Sequence, residues 1–518
     1  MLLVHPPACR STEAPLGLAR LAGFLRANGL DVECLDLNQE GFEYLLGLEA
    51  PRLAAEDTWS RRALKGRAGK VADLGQAGTY ANPGRYGRAI ADLSRALAVT
   101  SRSLSPGVEV GLADYHDEGL SPLRKEDLVA AAEEPGASPF RALFEERLAS
   151  REPQDVVGIS VNFLSQALSA FAIAGMAKAL WPAARIVMGG GLITSWVLQG
   201  RISLEEQFSG FVDHLVAGRG EEALAALCGL PPPWRQAAPD FSDFLGLGYF
   251  APTRIIPYNF SLGCPWKRCS FCPEKAENSR YQSVPTDRAR AEVAFLAERY
   301  EPGLFHFTDN EIAPLHLRSL AANAPGRPWY GFARFSPLLE DQGFCRDLAA
   351  SGCRMLQLGL ESGDQSVLDS LCKGTGLEGI ERALHALDGA GIAVFLYVLF
   401  GTPAEDHEAA LRTRDFVASH AGLVDFINVA IFNMPVTSPE AADLAARPFY
   451  EGDLSLYCEF SHPAGWNRGE VRRFLSAEFE AEPAIKAIIQ RTPPIFTSNH
   501  AAFFLPWASL DLGGAIRY

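Results

Sequence analysis

Ser261-Leu-Gly-Cys264-Pro-Trp-Lys-Arg-Cys269-Ser-Phe271-Cys272-Pro-Glu274 gathers three cysteines within nine residues, spaced Cys-x4-Cys-x2-Cys. The other seven, Cys9, Cys34, Cys228, Cys345, Cys353, Cys372 and Cys458, stand singly along the 518-residue chain. Gly263 and Pro265 let the backbone turn sharply, so three thiolates can converge on one face of a metal group. A closed zinc site needs a fourth ligand, yet no second cysteine pair follows and no histidine lies between Cys228 and His306. An iron–sulfur cluster held by three thiolates leaves one iron open to a substrate or cofactor, which favours chemistry over structure. The bland alternative is a structural metal knuckle that borrows a distant ligand.

Around this loop, apolar strands alternate with helices. Ile255–Leu262 runs into the cysteines, Leu304–Phe307 into Thr308-Asp309-Asn310, Trp329–Phe332 into Arg334, Met355–Leu360 into Glu361 and Val394–Phe400 into Gly401, and Phe426–Phe432 closes the series. The pattern predicts an α/β chain whose residues 253–432 form a partial (βα)6 barrel of TIM type, with functional groups at the carboxyl ends of strands. Asp309, Arg334 and Glu361 each have a plainer reading as a cap, a surface charge or a capping-box partner. Their recurrence at successive strand ends favours a shared mouth.

Upstream, Leu2–Val4, Val32–Leu37, Asp155–Val161, Arg185–Gly191 and Val212–Gly218 alternate with helices in the same way. Residues 1–228 are thus expected to form a doubly wound, Rossmann-like domain, interrupted by a helical, basic insertion at about 47–150. Gly189, Gly190, Gly191 and Gly218 fall at strand ends, where such sheets bind ligands, although glycines there are more often tight turns. Residues 229–252, with Pro231-Pro-Pro233, read as a linker. Residues 433–518 read as a small mixed C-terminal substrate or capping domain. There His500, in Thr497-Ser-Asn-His500, is an acid/base candidate or a satisfied core histidine.

A net charge of −15 argues against a general nucleic-acid binder. Between Arg61 and Arg102, nine Lys/Arg face only Asp73 and Asp92, which marks either an anion site or a solvated helical face. The longest apolar run, Ile392–Phe400, is far short of the roughly 20 residues of a membrane span. The start, Met1-Leu-Leu-Val-His-Pro-Pro7, has no basic leader, which argues against secretion, and unpaired cysteines fit a reducing cytoplasm.

The cysteine loop resembles that of the radical S-adenosylmethionine (SAM) superfamily. The usual spacing there is Cys-x3-Cys-x2-Cys; the extra residue here, in Gly-Cys-x-Trp-x-x-Cys-x-Phe-Cys, resembles a cobalamin-associated subset. Gly359-Leu-Glu-Ser-Gly363, Lys373-Gly374 and Gly401-Thr-Pro-Ala-Glu-Asp406 resemble the same subset. Pro15-Leu-Gly-Leu-Ala19, Gly158-Ile-Ser160 through Gln166, the triple glycine and Val212–Leu224 resemble its preceding cobalamin-binding domain. The resemblance implies a [4Fe-4S] cluster on Cys264, Cys269 and Cys272, supporting radical generation. It implies SAM contacts from Phe271, Asp309, Arg334 and Glu361, though Thr308-Asp309-Asn310 replaces the family's Gly-Gly-Glu, and cobalamin contacts from Ser160, Gly189, Gly190, Gly191 and Gly218. Asp114-x-His116-x-x-Gly119 matches a cobalt-ligating pattern, but falls far past the first strand, within the insertion, and so reads as a turn.

The implied activity is methyl transfer to an unactivated carbon through a 5′-deoxyadenosyl radical. The alternatives are a radical rearrangement or cyclisation without methyl transfer, and a non-enzymatic cobalamin or redox sensor. The implied partners are an unknown small-molecule or peptide substrate and an electron donor such as flavodoxin or ferredoxin, with no nucleic acid.

Overall fold

The structure, a computed structural model, describes residues 1–49, 57–441, 443–494 and 500–506. Leu2–His5 (β1), Glu33–Asp36 (β2), Val156–Ser160 (β3), Arg185–Gly189 (β4) and His214–Leu215 (β5) form a parallel sheet ordered β2-β1-β3-β4-β5. The apolar side chains of β1, β3 and β4 are buried, as a sheet covered on both faces demands. Strand order reverses between β1 and β3, which opens a crevice beyond their carboxyl ends at His5 and Ser160. Helix α1 (Leu16–Ala27) connects β1 to β2.

Before β3 the chain departs into helices Thr58–Leu74, Pro83–Leu104, Lys125–Glu133 and Arg141–Ala149 and a hairpin of Val108–Val110 with Tyr115–Asp117. The hairpin packs near Leu164–Gln166, the turn just past β3, so the insertion returns to the carboxyl edge of the sheet.

The second sheet holds Ile255–Tyr258 (β6), Leu304–Phe307 (β7), Trp329–Ala333 (β8), Cys353–Glu361 (β9), Ala393–Phe400 (β10) and Phe426–Ile431 (β11), parallel and in consecutive order. Intervening helices bury apolar stripes against it; Leu377–Ala390 turns in Ile380, Ala383, Leu384 and Leu387 at helical spacing. The strand read as Ile255–Leu262 stops at Tyr258. There the Asn259 side chain donates to the Ser261 carbonyl at 2.7 Å, and Ser261–Leu262 pairs antiparallel with Gln282–Ser283.

Past β11, the short strands Met434–Pro435, Tyr457–Glu459 and Arg447–Pro448 form an antiparallel cap. Thr437 Oγ1 donates to the Ala276 carbonyl at 3.2 Å, and Trp466 Nε1 to Glu405 Oε2 at 2.9 Å, which fastens the cap over the barrel mouth. Among the described residues no helix is long and apolar enough to cross a membrane.

Candidate functional site

The cysteine loop is rooted by Asp309. Only 2% exposed, this carboxylate accepts from the Phe260 amide at 2.9 Å and the Ser261 hydroxyl at 2.6 Å, pinning the exit of β6. Burial pushes it up to about 6 despite those bonds. Beyond that root, Cys269 is buried, and Cys264 and Cys272 are half-buried. Burial raises all three thiols, Cys272 to about 12, and the charges of Cys269 and Cys264 both add to the Cys272 shift. Thiols that raise Cys272 in this way lie close to it. Among the described residues no three His, Cys, Asp or Glu side chains close on a single point as one ion requires. Three thiolates on one loop fit the donor set of a cluster, which takes one thiolate per iron.

Charged groups from three strand ends surround the loop. Arg334, just past β8, lies over the Trp266 ring at 4.2 Å, donates to the Lys373 carbonyl and sits 3.9 Å from Glu311. Its Nη1 is buried without a hydrogen-bond partner. Glu361 ends β9 at a φ of +64° and pairs with Lys373 at 2.7 Å. A side chain on Gly359 would strike both members of that pair, and one on Gly374, at a φ of +69°, would strike Trp266. Cys264 Sγ donates to Glu311 at 3.4 Å. Lys373 and then Arg334 pull the Cys269 thiol down against the larger upward effect of burial. Phe271 lies beneath Lys373 and packs on Phe432, Met434 and Cys458 of the cap.

The structure therefore brings Phe271, Arg334 and Glu361 to the cysteines, while Asp309 stands behind them as a brace. Sequence reasoning assigned no role to Trp266, Glu311 or Lys373. Glu311 had a signal, because it directly follows Thr308-Asp309-Asn310 at the same strand end. His500 lies between the rings of Phe395 and Phe426, at 5.1 and 5.7 Å, near the amino ends of β10 and β11 and thus at the opposite end of the barrel. Burial lowers it to about 3, so it is neutral there. Residues 497–499 beside it, and Phe496, lie outside the described residues.

At the crevice, Asn162 Oδ1 accepts from the Gly191 amide at 3.0 Å while its Nδ2 donates to Ser160 Oγ at 3.1 Å. Gly190, at a φ of +103°, has room for no side chain, because a Cβ would come within 2.6 Å of the Val161 carbonyl. The Gly218 amide donates to Thr194 Oγ1 at 2.9 Å, with open space where a Cβ would stand. Ser160, Gly189, Gly190, Gly191 and Gly218 thus share one accessible edge above buried strands, and the backbone is bare enough for a large flat group to approach. His116 is exposed on the hairpin, opposite Glu109. Beside it Asp117 accepts from the Gly119 and Leu120 amides at 2.8 and 3.1 Å, which is the chemistry of a turn.

Residues 258–417 match the Radical SAM superfamily. The chain is 26% identical over 300 residues to the bacteriochlorophyllide d C-12(1)-methyltransferase of Chlorobaculum tepidum, covering 53% of this chain and 63% of that one. It is 25% identical over 346 residues to the hopanoid C-3 methylase of Methylococcus capsulatus, covering 58% and 63%. The matches thus span just under two thirds of these relatives. Among solved structures, the radical SAM methyltransferase TsrM of Kitasatospora setae, with cobalamin and a [4Fe-4S] cluster bound, superposes with a TM-score of 0.58 at 18% identity, over 95% of this chain and 92% of that one. That likeness shows a shared fold.

Proposed function

We propose that this chain, a radical SAM protein by its residues 258–417, is a cobalamin-dependent enzyme that transfers a methyl group to an unactivated carbon of a small molecule. The observation that carries the reading is the three-thiolate loop ringed by Arg334, Glu311, Glu361 and Lys373 at one barrel mouth. When bound, a [4Fe-4S] cluster would supply the electron that cleaves SAM, and cobalamin the methyl group. Cys264, Cys269 and Cys272 would hold the cluster. The unpartnered Arg334 Nη1 suits the SAM carboxylate, and the Glu361 carboxylate suits its amine. Phe271 offers a ring face at the same place, and Trp266 closes the loop from water. Ser160, Gly189, Gly190, Gly191 and Gly218 would line the cobalamin edge. Support for methyl transfer comes from two of the three matching relatives, which are named for it; the third, an anaerobic magnesium-protoporphyrin IX monomethyl ester cyclase of Rubrivivax gelatinosus, is named for a cyclisation. We further propose a cytoplasmic protein, since all ten cysteines are free, reduced by a donor such as flavodoxin or ferredoxin.

The test follows methyl-labelled SAM in the reduced, iron-loaded protein with candidate substrates. Equal amounts of 5′-deoxyadenosine and S-adenosylhomocysteine, with label in the product, are expected. Deoxyadenosine without transferred label would replace methyl transfer with radical rearrangement or cyclisation, and neither product would favour a sensor. Cys269→Ala should abolish both products together with the iron; stoichiometric zinc in the parent would overturn the reading at its root.

A further inference from the structure

The cysteine loop has a second side. Trp266 carries the enclosed Arg334 at 4.2 Å and the exposed Arg268 at 5.0 Å, so an inner side of the loop faces the barrel mouth and an outer one faces solvent. Arg268, Lys275 and Arg280 are exposed there and Lys267 is half-exposed. Each is tied to a cysteine: Lys267 and Arg268 lie between Cys264 and Cys269, the Lys275 amide donates to the Cys272 carbonyl at 3.1 Å, and the Arg280 carbonyl lies 3.1 Å from where a Cβ on Gly263 would stand. Among the described residues none of the four forms an ion pair; Lys267 donates to Asn278 Oδ1 at 2.8 Å. The two acids of the stretch 262–283 are held by neighbours, Glu274 accepting from Asn310 Nδ2 at 2.6 Å and Glu277 from Gln199 Nε2 at 2.9 Å. Two apolar side chains stand among the cations. Leu262, on the short strand Ser261–Leu262, is 39% exposed, and Leu315 is 61% exposed. Ser283, on the strand paired with Ser261–Leu262, meets His316 at 2.9 Å, which sets the adjoining Leu315 at the edge of that hairpin.

Exposed apolar side chains rimmed by unpaired charge are the anatomy of a transient protein interface. We propose, resting on the reading of the three thiolates as a cluster site, that this outer face docks the electron donor, a small one-electron carrier protein whose redox group is ringed by acidic residues. An electron crosses protein efficiently only over short distances, so the donor must sit where little protein separates its redox group from the thiolates. Cys264 and Cys272 are half-buried, whereas the inner side is closed by Arg334 and Lys373. On a chain of net charge −15 an acidic partner is repelled elsewhere and drawn here, which sets its orientation. The donor loses one electron and the cluster gains it; no bond forms or breaks. The other basic surface, Arg61, Arg62 and Lys65 on the helix Thr58–Leu74, has no cysteine on its helix and serves as the control.

The probe is a flavodoxin, titrated in its oxidised form by calorimetry into the full-length, anaerobically reconstituted, iron-loaded protein. Binding is expected at about 20 mM salt and should weaken at least about tenfold at about 200 mM, because salt screens attraction between exposed charges. Lys275→Glu/Arg280→Glu should weaken it at least about tenfold at the lower salt. Iron content and bleaching of the cluster by dithionite should stay unchanged in that variant, while bleaching by reduced flavodoxin slows by a similar factor. Arg61→Glu/Lys65→Glu, which changes the net charge equally, should stay within about twofold of the parent. Leu315→Asp, outside the loop on the helix Pro314–Ala322, should weaken binding about tenfold and carries the test if the loop variant loses iron. No binding by the parent, binding insensitive to salt, or a loss in the insertion variant instead of the loop variant would each overturn the proposal. Dithionite bleaching reports the cluster whether or not the donor docks, so the docking face and the radical reading fail separately.

Discussion

Glu405 shows how one side chain is set against water on behalf of its neighbours. It is 1% exposed; Oε2 accepts from the Gly401 amide and from Trp466 Nε1, and Oε1 is unpartnered. Desolvation pushes its carboxyl up to about 7, with Asp406 and Asp364 adding to the rise; His462, nearby, is turned to the Thr402 carbonyl. Because the folded value lies above the unfolded one, the native state holds the extra proton between about pH 4.5 and 7, so stability falls as pH rises through that window. Glu405→Gln keeps one oxygen for both donors and has no charge to bury. We expect it to match the parent at pH 5 and to be about 2 kcal/mol more stable at pH 8 in denaturant melts. A parental pH slope in the variant would show that Glu405 does not titrate in that range. At the same scale, Gly374→Ala should push Trp266 off the loop and strain a φ of +69°. The expected result is a stable fold, costing about 1–2 kcal/mol, that retains less iron after desalting; full iron content would mean that Trp266 does not guard the loop.

The β6 exit and its loop are organised as a single element through Asp309. Asp309→Ala removes the acceptor of both the Phe260 amide and the Ser261 hydroxyl, leaving a buried N–H unpaired at a cost of about 1–3 kcal/mol. Asp309→Asn retains one acceptor and should recover most of the iron content lost in the alanine variant. Equal losses in both would point to the charge instead of the bracing. The barrel strands were legible because buried parallel strands write continuous apolar runs, and the loop was legible because cysteine spacing is local in sequence. Asp309 stood out for its position at a strand end, but its partners could not be read, since they lie 48 and 49 residues away. Lys373 was equally out of reach: its partner Glu361 is fixed by a left-handed turn that leaves no periodic trace. The crevice glycines were visible as a cluster, whereas the Asn162 side chain that ties them to Ser160 was not.

Across the whole molecule, the two sheets are joined by side chains more than by connecting chain. The segment 229–252, read as a linker, is itself fastened: Asp240 accepts from Arg26 at 2.6 Å and Tyr300 at 2.9 Å, and Asp243 from Arg26 at 2.6 Å. Glu13 meets His306 on β7 at 2.7 Å. Arg20 of α1 holds the exit of β6, donating to the Asn259 side chain and carbonyl at 2.7 and 2.6 Å while lying over Tyr258. Arg20→Ala should destabilise the protein by about 2–3 kcal/mol and speed iron loss to a chelator, although the residue lies outside the barrel. Loss at the parental rate would mean that the cysteine loop ignores the first domain. The same helix carries Gly17 in its first turn, where a Cβ would come within 3.7 Å of Ser160 Oγ, so that turn lies beside the crevice and the next grips the exit of β6 that leads to the cysteines. A rigid rod touching two pockets is a thermodynamic linkage: if filling the crevice steadies α1 and so tightens the hold on iron, iron must strengthen the crevice's affinity by the same factor. On that account the two cofactors would load cooperatively, and a cell short of one would leave the protein depleted of both.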